Sequence, residues 1–117
     1  MKNKIKAPAI VLCLTSAVLI LNSCNSSEEN ISKNNHSIDT VVIQQMQFIP
    51  AVLNVKAGDT VVWVNKDMVD HNVTEQKNKA FYSDTLHAGK SWKMAVTNNA
   101  DYFCSIHPSM TGKLVIK

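Results

Sequence analysis

The sequence predicts an all-β fold, a sandwich or barrel of short strands. From Ile38 onward, short runs rich in valine, isoleucine, threonine and aromatic residues alternate with turn residues. Regularly spaced short strands of this composition are typical of β-sandwiches and β-barrels. No apolar period of 3.6 residues persists, although the irregular residues 72–86 leave room for a short helical turn.

The first residues are expected to be a bacterial export signal. Three lysines within the first six residues precede an apolar stretch, residues 10–21, that is too short and wrongly flanked for a membrane-spanning helix. Leu21-Asn22-Ser23-Cys24 resembles a lipobox, in which the cysteine becomes the lipidated N-terminus. We therefore predict a signal peptide at residues 1–23, lipidation of Cys24, and a location in the periplasm or cell envelope. An uncleaved anchor and a soluble secreted protein are the alternatives.

Residues 24–37 are mostly polar and are predicted to be a flexible tether, in which His36 is solvated. Residues 38–117 are then one small domain, because so short a chain has room for a single core.

Seven strands are predicted within that domain, separated by glycine, asparagine and aspartate turns. In the fifth of them, Trp92, Met94 and Val96 alternate with polar or small residues, which predicts one buried face. The predicted strands are residues 40–46, 52–55, 60–65, 71–74, 91–97, 100–104 and 113–116.

Charge and cysteine content restrict the function. Three of the 12 basic residues lie in the signal, so nine remain against nine acidic residues, and such a neutral domain is not expected to bind nucleic acid. Cys13 leaves with the signal and Cys24 would carry the lipid, so Cys104 is the single thiol of the domain and no disulfide can form. A lone thiol in an oxidising compartment is a liability unless a group such as a metal ion occupies it.

Three metal donors fall within seven residues near the C-terminus, Cys104, His107 and Met110. Sulfur ligands beside an imidazole favour copper over magnesium, calcium or manganese. Two histidines, one cysteine and a distant methionine are the blue-copper electron-transfer arrangement. His71 is the candidate for the second histidine, because loops cluster at the ends of a sandwich and can bring distant residues together.

Other interpretations of these residues stay open. Zinc could bind Cys104 and the two histidines, although Met110 would be a poor fourth ligand. Alternatively, Met110 fills the core and Cys104 is a small buried hydrophobic residue. Haem attachment is excluded because no Cys-x-x-Cys-His motif is present. His87 is expected to be a structural or solvent-facing residue of a turn.

Taken in order, several motifs between residues 40 and 117 resemble the cupredoxins of the plastocyanin and azurin family. The ligand loop is most similar to that of the amicyanins, with two residues between its cysteine and histidine and two between its histidine and methionine. The motifs are Thr60-Val61-Val62-Trp63-Val64-Asn65, His71-Asn72-Val73, Tyr102-Phe103-Cys104-Ser105-Ile106-His107-Pro108-Ser109-Met110 and Gly112-Lys113-Leu114-Val115-Ile116.

The resemblance implies a Greek-key β-sandwich that binds one type 1 copper ion. Asn72 and Ser105 match family positions that join the two ligand loops by hydrogen bonds. The implied copper ligands are His71, Cys104, His107 and Met110.

The resemblance also implies an electron carrier. An enzyme is not expected, because a metal whose protein ligands are all in place leaves no open position for a substrate. Storage or delivery of copper in the envelope is the alternative function. The expected partners are redox proteins such as a cytochrome c, a dehydrogenase or a reductase, and the protein is expected to be a monomer. Members of the family often dock partners at an apolar rim around the C-terminal histidine, but Asp70 and Ser109 make this rim partly polar.

Overall fold

The computed structural model describes residues 35–117, all of which belong to one compact unit, Lys33–Lys117. The predicted signal peptide, Cys24 and most of the predicted tether lie outside the described residues. Within residues 35–117 there are eight strands and no helix, and so no helix that could cross a membrane. The predicted all-β sandwich of seven to eight strands is confirmed.

The strands form two four-stranded sheets. One sheet has the order β2-β1-β4-β6, with β1 (Ile38–Gln44), β2 (Gln47–Ile49), β4 (Thr60–Asn65) and β6 (Ser91–Ala95). The other has the order β3-β8-β7-β5, with β3 (Val52–Val55), β5 (Thr74–Glu75), β7 (Ala100–Phe103) and β8 (Thr111–Ile116). The pairs β1 with β4 and β3 with β8 are parallel, and the other pairs are antiparallel.

Strand β2 was not predicted, because the turn before it carries no glycine or asparagine. Gln45 and Met46 both have positive φ, 53° and 58°, and connect β1 to β2 as a two-residue hairpin turn. Such turns normally use asparagine or glycine. The predicted first strand therefore ran through this turn to residue 46, whereas β1 ends at Gln44.

The segment between β4 and β6 is less regular than predicted. The strand predicted at residues 71–74 is reduced to β5 and two isolated bridges, which pair His71 with Leu86 and Thr74 with Tyr82. No helical turn is present there. Instead, the Glu75 carboxylate accepts backbone N–H groups, among them those of Lys77 at 2.9 Å and Asn78 at 2.7 Å. These bonds shape the loop that follows β5.

Aromatic side chains dominate the core between the two sheets. The Tyr102 ring lies 4.8 Å from that of Phe48 and 5.6 Å from that of Trp63, both edge to face. Gly112, opposite Tyr102 on β8, has no room for a Cβ because the tyrosine ring occupies that space. Burial raises the pKa of Tyr102 to about 12, partly offset by the Trp63 indole, so its hydroxyl stays protonated at neutral pH.

The end of the sandwich at which β1 and β4 begin is called the base, defined by Ser37, Gly58 and Asp59. Ser37 N–H donates to Asp59 Oδ1 at 2.8 Å, and Thr60 N–H donates to Ser37 O at 2.9 Å. The prediction that His36 is solvated is only partly correct. Its ring lies against Gly58, and its side chain is 48% exposed. The last residues of the predicted tether are therefore bound to the base.

Candidate metal centre

His71 lies beyond the C-terminal end of β4, at the end of the sandwich opposite the base, called here the site end. The buried Asn65 closes β4 and donates through Nδ2 to Val69 O and Leu86 O, both at 2.8 Å. His71 and Leu86 then exchange two backbone hydrogen bonds, of 3.1 and 2.7 Å. These contacts fix the backbone of His71, and its side chain is fully buried.

The other three predicted ligands lie on the ligand loop, residues 104–110, which connects β7 to β8. Cys104 N–H donates to Met110 O at 3.0 Å and closes the loop. Within it, His107 N–H donates to Cys104 O at 3.2 Å and Met110 N–H donates to His107 O at 2.9 Å. Cys104 and Met110 are buried, whereas His107 is partly exposed.

Three donor atoms of His71, Cys104 and His107 form a small triangle. Cys104 Sγ lies 3.8 Å from His71 Nδ1 and 3.9 Å from His107 Nδ1, and the two Nδ1 atoms are 3.2 Å apart. The point equidistant from these atoms is about 2.1 Å from each, close to the roughly 2.0–2.3 Å at which nitrogen and sulfur ligands hold a metal such as zinc. One metal ion can therefore contact all three atoms without rearrangement of the side chains.

The chemistry of these donors selects among metals. One thiol and two imidazoles, with a buried thioether on the same loop, are soft or intermediate ligands. Such a set suits copper and lacks the oxygen donors that magnesium or calcium require. The residues present therefore fit a copper ion.

The two loops are joined through Asn72 and Ser105. Asn72 Nδ2 donates to Ser105 Oγ at 2.7 Å, and Ser105 N–H donates to Asn72 Oδ1 at 2.7 Å. The structure thus contains the inter-loop hydrogen bonds that the resemblance implied. A further contact was not predicted: Asn72 N–H points at Cys104 Sγ at 3.3 Å, a backbone donor that no side-chain pattern reveals.

Asp67 is a second residue of the site that sequence reasoning missed. Its Oδ2 lies 3.0 Å from His71 Nε2. Burial opposes ionisation of Asp67, but N–H groups of Met46 and Gln45 and the His71 ring outweigh it and hold the pKa below its usual value. The sequence contains one signal for this contact, a carboxylate four residues before His71. The pattern Asn65-Lys66-Asp67 by itself predicts only a turn.

Three exposed apolar side chains, called here the rim, lie in the segments next to the donors, Met68 and Val69 just before His71 and Ile106 just before His107. Met68 is 92% exposed, and Val69 and Ile106 are about half exposed. Met68 had not been predicted as part of this rim. Beside it, Asp70 Oδ1 lies 2.8 Å from His87 Nδ1, and both side chains face solvent, as expected for His87.

Comparison with known proteins gives consistent results. Residues 35–117 match the family model of copper-binding proteins of the plastocyanin/azurin family. An amicyanin from Paracoccus versutus is 32% identical, over 79% of this chain and 76% of that protein. Amicyanin-alpha from Methylorubrum extorquens is 30% identical, over 66% of this chain and 70% of that protein.

Solved structures of amicyanins have the same fold. The crystal structure of the Paracoccus versutus protein superposes with a TM-score of 0.63 at 28% identity, covering 68% of this chain and 81% of that chain. An amicyanin variant in the Cu(I) form gives a TM-score of 0.64 at 29% identity, covering 68% and 82% of the two chains. The sandwich is thus cupredoxin-like, as the resemblance implied.

Proposed function

Because this chain belongs to the plastocyanin/azurin family of copper-binding proteins, we propose that it carries single electrons through one copper ion bound at the site end. The proposed ligands are His71, Cys104, His107 and Met110. When bound, copper supplies a one-electron couple between Cu(I) and Cu(II). The protein is an electron carrier and not an enzyme.

The observation that carries this proposal is the triangle of Nδ1, Nδ1 and Sγ atoms. Each donor sits on a backbone that is already hydrogen-bonded, through the Leu86 bridge for His71 and the closed ligand loop for Cys104 and His107. Asn72 ties the two parts together. Since hydrogen bonds hold the donors in place before metal binds, the ligands need to move little when a bound copper ion changes between Cu(I) and Cu(II).

Burial separates the roles of the donors. His71 and Cys104 are inaccessible to solvent, and Met110 is nearly so. His107 is the partly exposed member, so its imidazole is the shortest connection between the site and a partner. Burial of the other donors also opposes rapid exchange of metal with a partner, which favours electron transfer over the delivery of copper.

The protein is proposed to act as a monomer. Its partner is proposed to be a redox protein, such as a cytochrome c, a dehydrogenase or a reductase, that docks against the rim near His107. Met68, Val69 and Ile106 give this surface an apolar character, which is typical of the central part of a protein interface. The Asp70 and His87 pair adds a polar edge on one side. These features support docking at the site end.

For its location, we propose export to the periplasm or cell envelope, with signal peptide 1–23, a lipid on Cys24 and a tether, residues 24–37, leading to domain 38–117. The base supports this arrangement, because Ser37 enters the domain there. The six-residue strand β4 separates the base from His71 by about 20 Å at roughly 3.3 Å per residue. A chain anchored through the base leaves the site end free for partners.

The visible absorption spectrum of the copper-loaded protein tests the site. We expect an intense band from charge transfer between the Cys104 thiolate and Cu(II), and its loss in Cys104→Ala. The matched control is Ser109→Ala, which changes an exposed residue of the same loop and should keep the band. A colourless wild-type protein that prefers zinc would refute the copper assignment.

A kinetic comparison separates the carrier from a delivery protein. Electron exchange with a cytochrome c is measured beside transfer of Cu(I) to a chelator. We expect electron exchange to be much faster than copper loss. Rapid copper loss with slow electron exchange would support storage or delivery instead.

A further inference from the structure

The Asp67 carboxylate contacts two backbone N–H groups and the His71 ring. Its Oδ1 accepts the N–H of Gln45 at 2.7 Å, and its Oδ2 accepts the N–H of Met46 at 3.0 Å. The same Oδ2 lies 3.0 Å from His71 Nε2. Asp67 N–H in turn donates to Asn65 Oδ1 at 2.9 Å, so the residue is fixed through its backbone and its side chain.

The contact with His71 determines which ring nitrogen carries the proton. His71 Nδ1 faces Cys104 Sγ and His107 Nδ1, so it is the nitrogen available to a metal and must present a lone pair. A neutral imidazole carries its one proton on the other nitrogen. Asp67 offers a carboxylate acceptor there, so the Nε2–H tautomer gains a hydrogen bond that the Nδ1–H tautomer would lose.

The two histidines differ in this respect. Among residues 35–117, no side chain or backbone group is hydrogen-bonded to Nε2 of His107, whose ring is partly exposed. The Asp67 side chain is only 15% exposed and His71 is fully buried, so their bond is shielded from water. Among the described residues, one imidazole of the site therefore has a carboxylate partner and the other has none.

We propose that Asp67 is a positioning residue of the metal centre, whose carboxylate selects the Nε2–H tautomer of His71 and holds its Nδ1 toward the metal. This inference rests on the proposed copper site. Because the carboxylate places a negative charge next to one ligand, it also favours Cu(II) over Cu(I). Asp67 thereby lowers the reduction potential of the site.

The first test compares Asp67→Asn with Asp70→Asn in the copper-loaded protein. Each variant removes one carboxylate from the same loop, but Asp70 is exposed and bonded to His87 instead of a ligand. We expect Asp67→Asn to raise the reduction potential clearly more than Asp70→Asn does, and to lower copper affinity by about tenfold. Asp67→Glu, which restores the charge, should return the potential toward the wild-type value. Equal potentials for the Asn variants would overturn the proposal.

The second test reads the tautomer without copper, so it holds even if the copper assignment fails. Nitrogen-15 chemical shifts of the histidine rings are measured in the copper-free protein, with urea unfolding to establish that each variant is folded. We expect His71 to be the Nε2–H tautomer in the wild type and in Asp70→Asn, and to lose that preference in Asp67→Asn. An unchanged Nε2–H tautomer in Asp67→Asn would refute the role of Asp67, and so would loss of that tautomer in Asp70→Asn. A wild-type protein without the thiolate-to-copper band would refute only the proposed function.

Discussion

Cys104 shows how a single side chain acquires its chemistry from residues that are distant in sequence. Its sulfur meets His71 Nδ1 and His107 Nδ1, and it faces the N–H of Asn72, 32 residues away. This buried thiol thus lies among groups that suit a metal-bound sulfur ligand.

Met110 is proposed to tune the reduction potential of the copper ion, and substitution of its thioether tests this role. We expect Met110→Leu to retain copper and to raise the reduction potential, because a weak axial thioether tunes a copper site without being needed to hold the metal. Leucine has a similar volume, so packing beneath the loop should be kept. Voltammetry and copper content check this result. Met68→Leu, at an exposed position, is the control and should leave the potential unchanged, whereas copper loss from Met110→Leu would show that Met110 holds the metal.

Asn72 is expected to matter for stability even without copper. Asn72→Ala removes two 2.7 Å hydrogen bonds and leaves the Ser105 N–H without its partner. Because both bonds are only partly buried, we expect their loss to lower the free energy of unfolding by about 1 kcal/mol, the typical net contribution of a hydrogen bond. Urea unfolding of the copper-free protein measures the change. Asn98→Ala is the control, since the exposed Asn98 bonds only to neighbouring Thr97, and an equal loss in both variants would contradict a special role for Asn72.

Among the strands, those with an alternating pattern of apolar residues were predictable from the sequence. A strand whose start depends on an unusual turn, such as β2, was not. The run Thr60–Asn65 alternates buried and partly buried residues and was predicted with the same bounds as β4. The hairpin turn at Gln45 and Met46 was missed, because its positive φ values are held in part by Asp67, 21 and 22 residues further on. Local composition cannot report a turn that depends on a distant carboxylate.

The same distinction applies to the site. The ligand loop was predictable because its donors are close in sequence, and His71 followed from its position after a strand together with the resemblance. The contact of Asp67 with His71 was not predictable from sequence spacing. It depends on the turn formed by residues 66–70, which places the carboxylate next to the His71 imidazole. Spacing alone does not fix that path. Similarly, only Thr74 and Glu75 of the segment after His71 pair with β7, and the remaining pairing is two isolated bridges, His71 with Leu86 and Thr74 with Tyr82.

The loop after β5 gives a prediction of pH dependence. Backbone N–H groups of Asn78 and Lys77 hold the pKa of Glu75 below its usual value, more than offsetting its desolvation. A lowered folded-state pKa means that this carboxylate stabilises the fold at pH values above its unfolded pKa. That contribution is lost as the pH falls through the folded value. The contribution of Glu75 to stability should therefore be level from about pH 7 to 5 and fall below about pH 4, near the reference pKa of glutamate.

Replacement of Glu75 by glutamine tests this dependence. We expect Glu75→Gln to lower the urea midpoint of the copper-free protein at pH 7 and to make it less sensitive to acid, because the charged acceptor of the loop is gone. Asp101→Asn is the control, since Asp101 forms an exposed ion pair with Lys113 and such pairs contribute little. Equal acid sensitivity in wild type and Glu75→Gln would show that other carboxylates, such as Asp59, dominate.

For the whole molecule, the two ends of the sandwich have separate roles. The base binds the entering chain through Ser37 and the His36 ring, and backbone hydrogen bonds of Val96 with Gly58 and Asp59 extend the pairing of β4 with β6 there. The site end contains the donor triangle and the apolar rim. Because the parallel strands β1 and β4 both run from base to site end, the entry of the chain at Ser37 and the donor triangle are separated by the length of a strand.

The proposed attachment to a membrane through the base concerns the whole molecule. We expect Cys24→Ala to move the protein from the membrane fraction to the soluble fraction, because the lipid on Cys24 is the proposed anchor. The thiolate-to-copper band and the reduction potential should stay unchanged, since Cys24 precedes the first described residue of the domain and the site end lies opposite the base. Cys13→Ala is the matched control, since it changes the other cysteine of the N-terminal region and should leave the protein in the membrane fraction. Retention of Cys24→Ala in the membrane would instead identify an uncleaved apolar segment, residues 10–21, as the anchor.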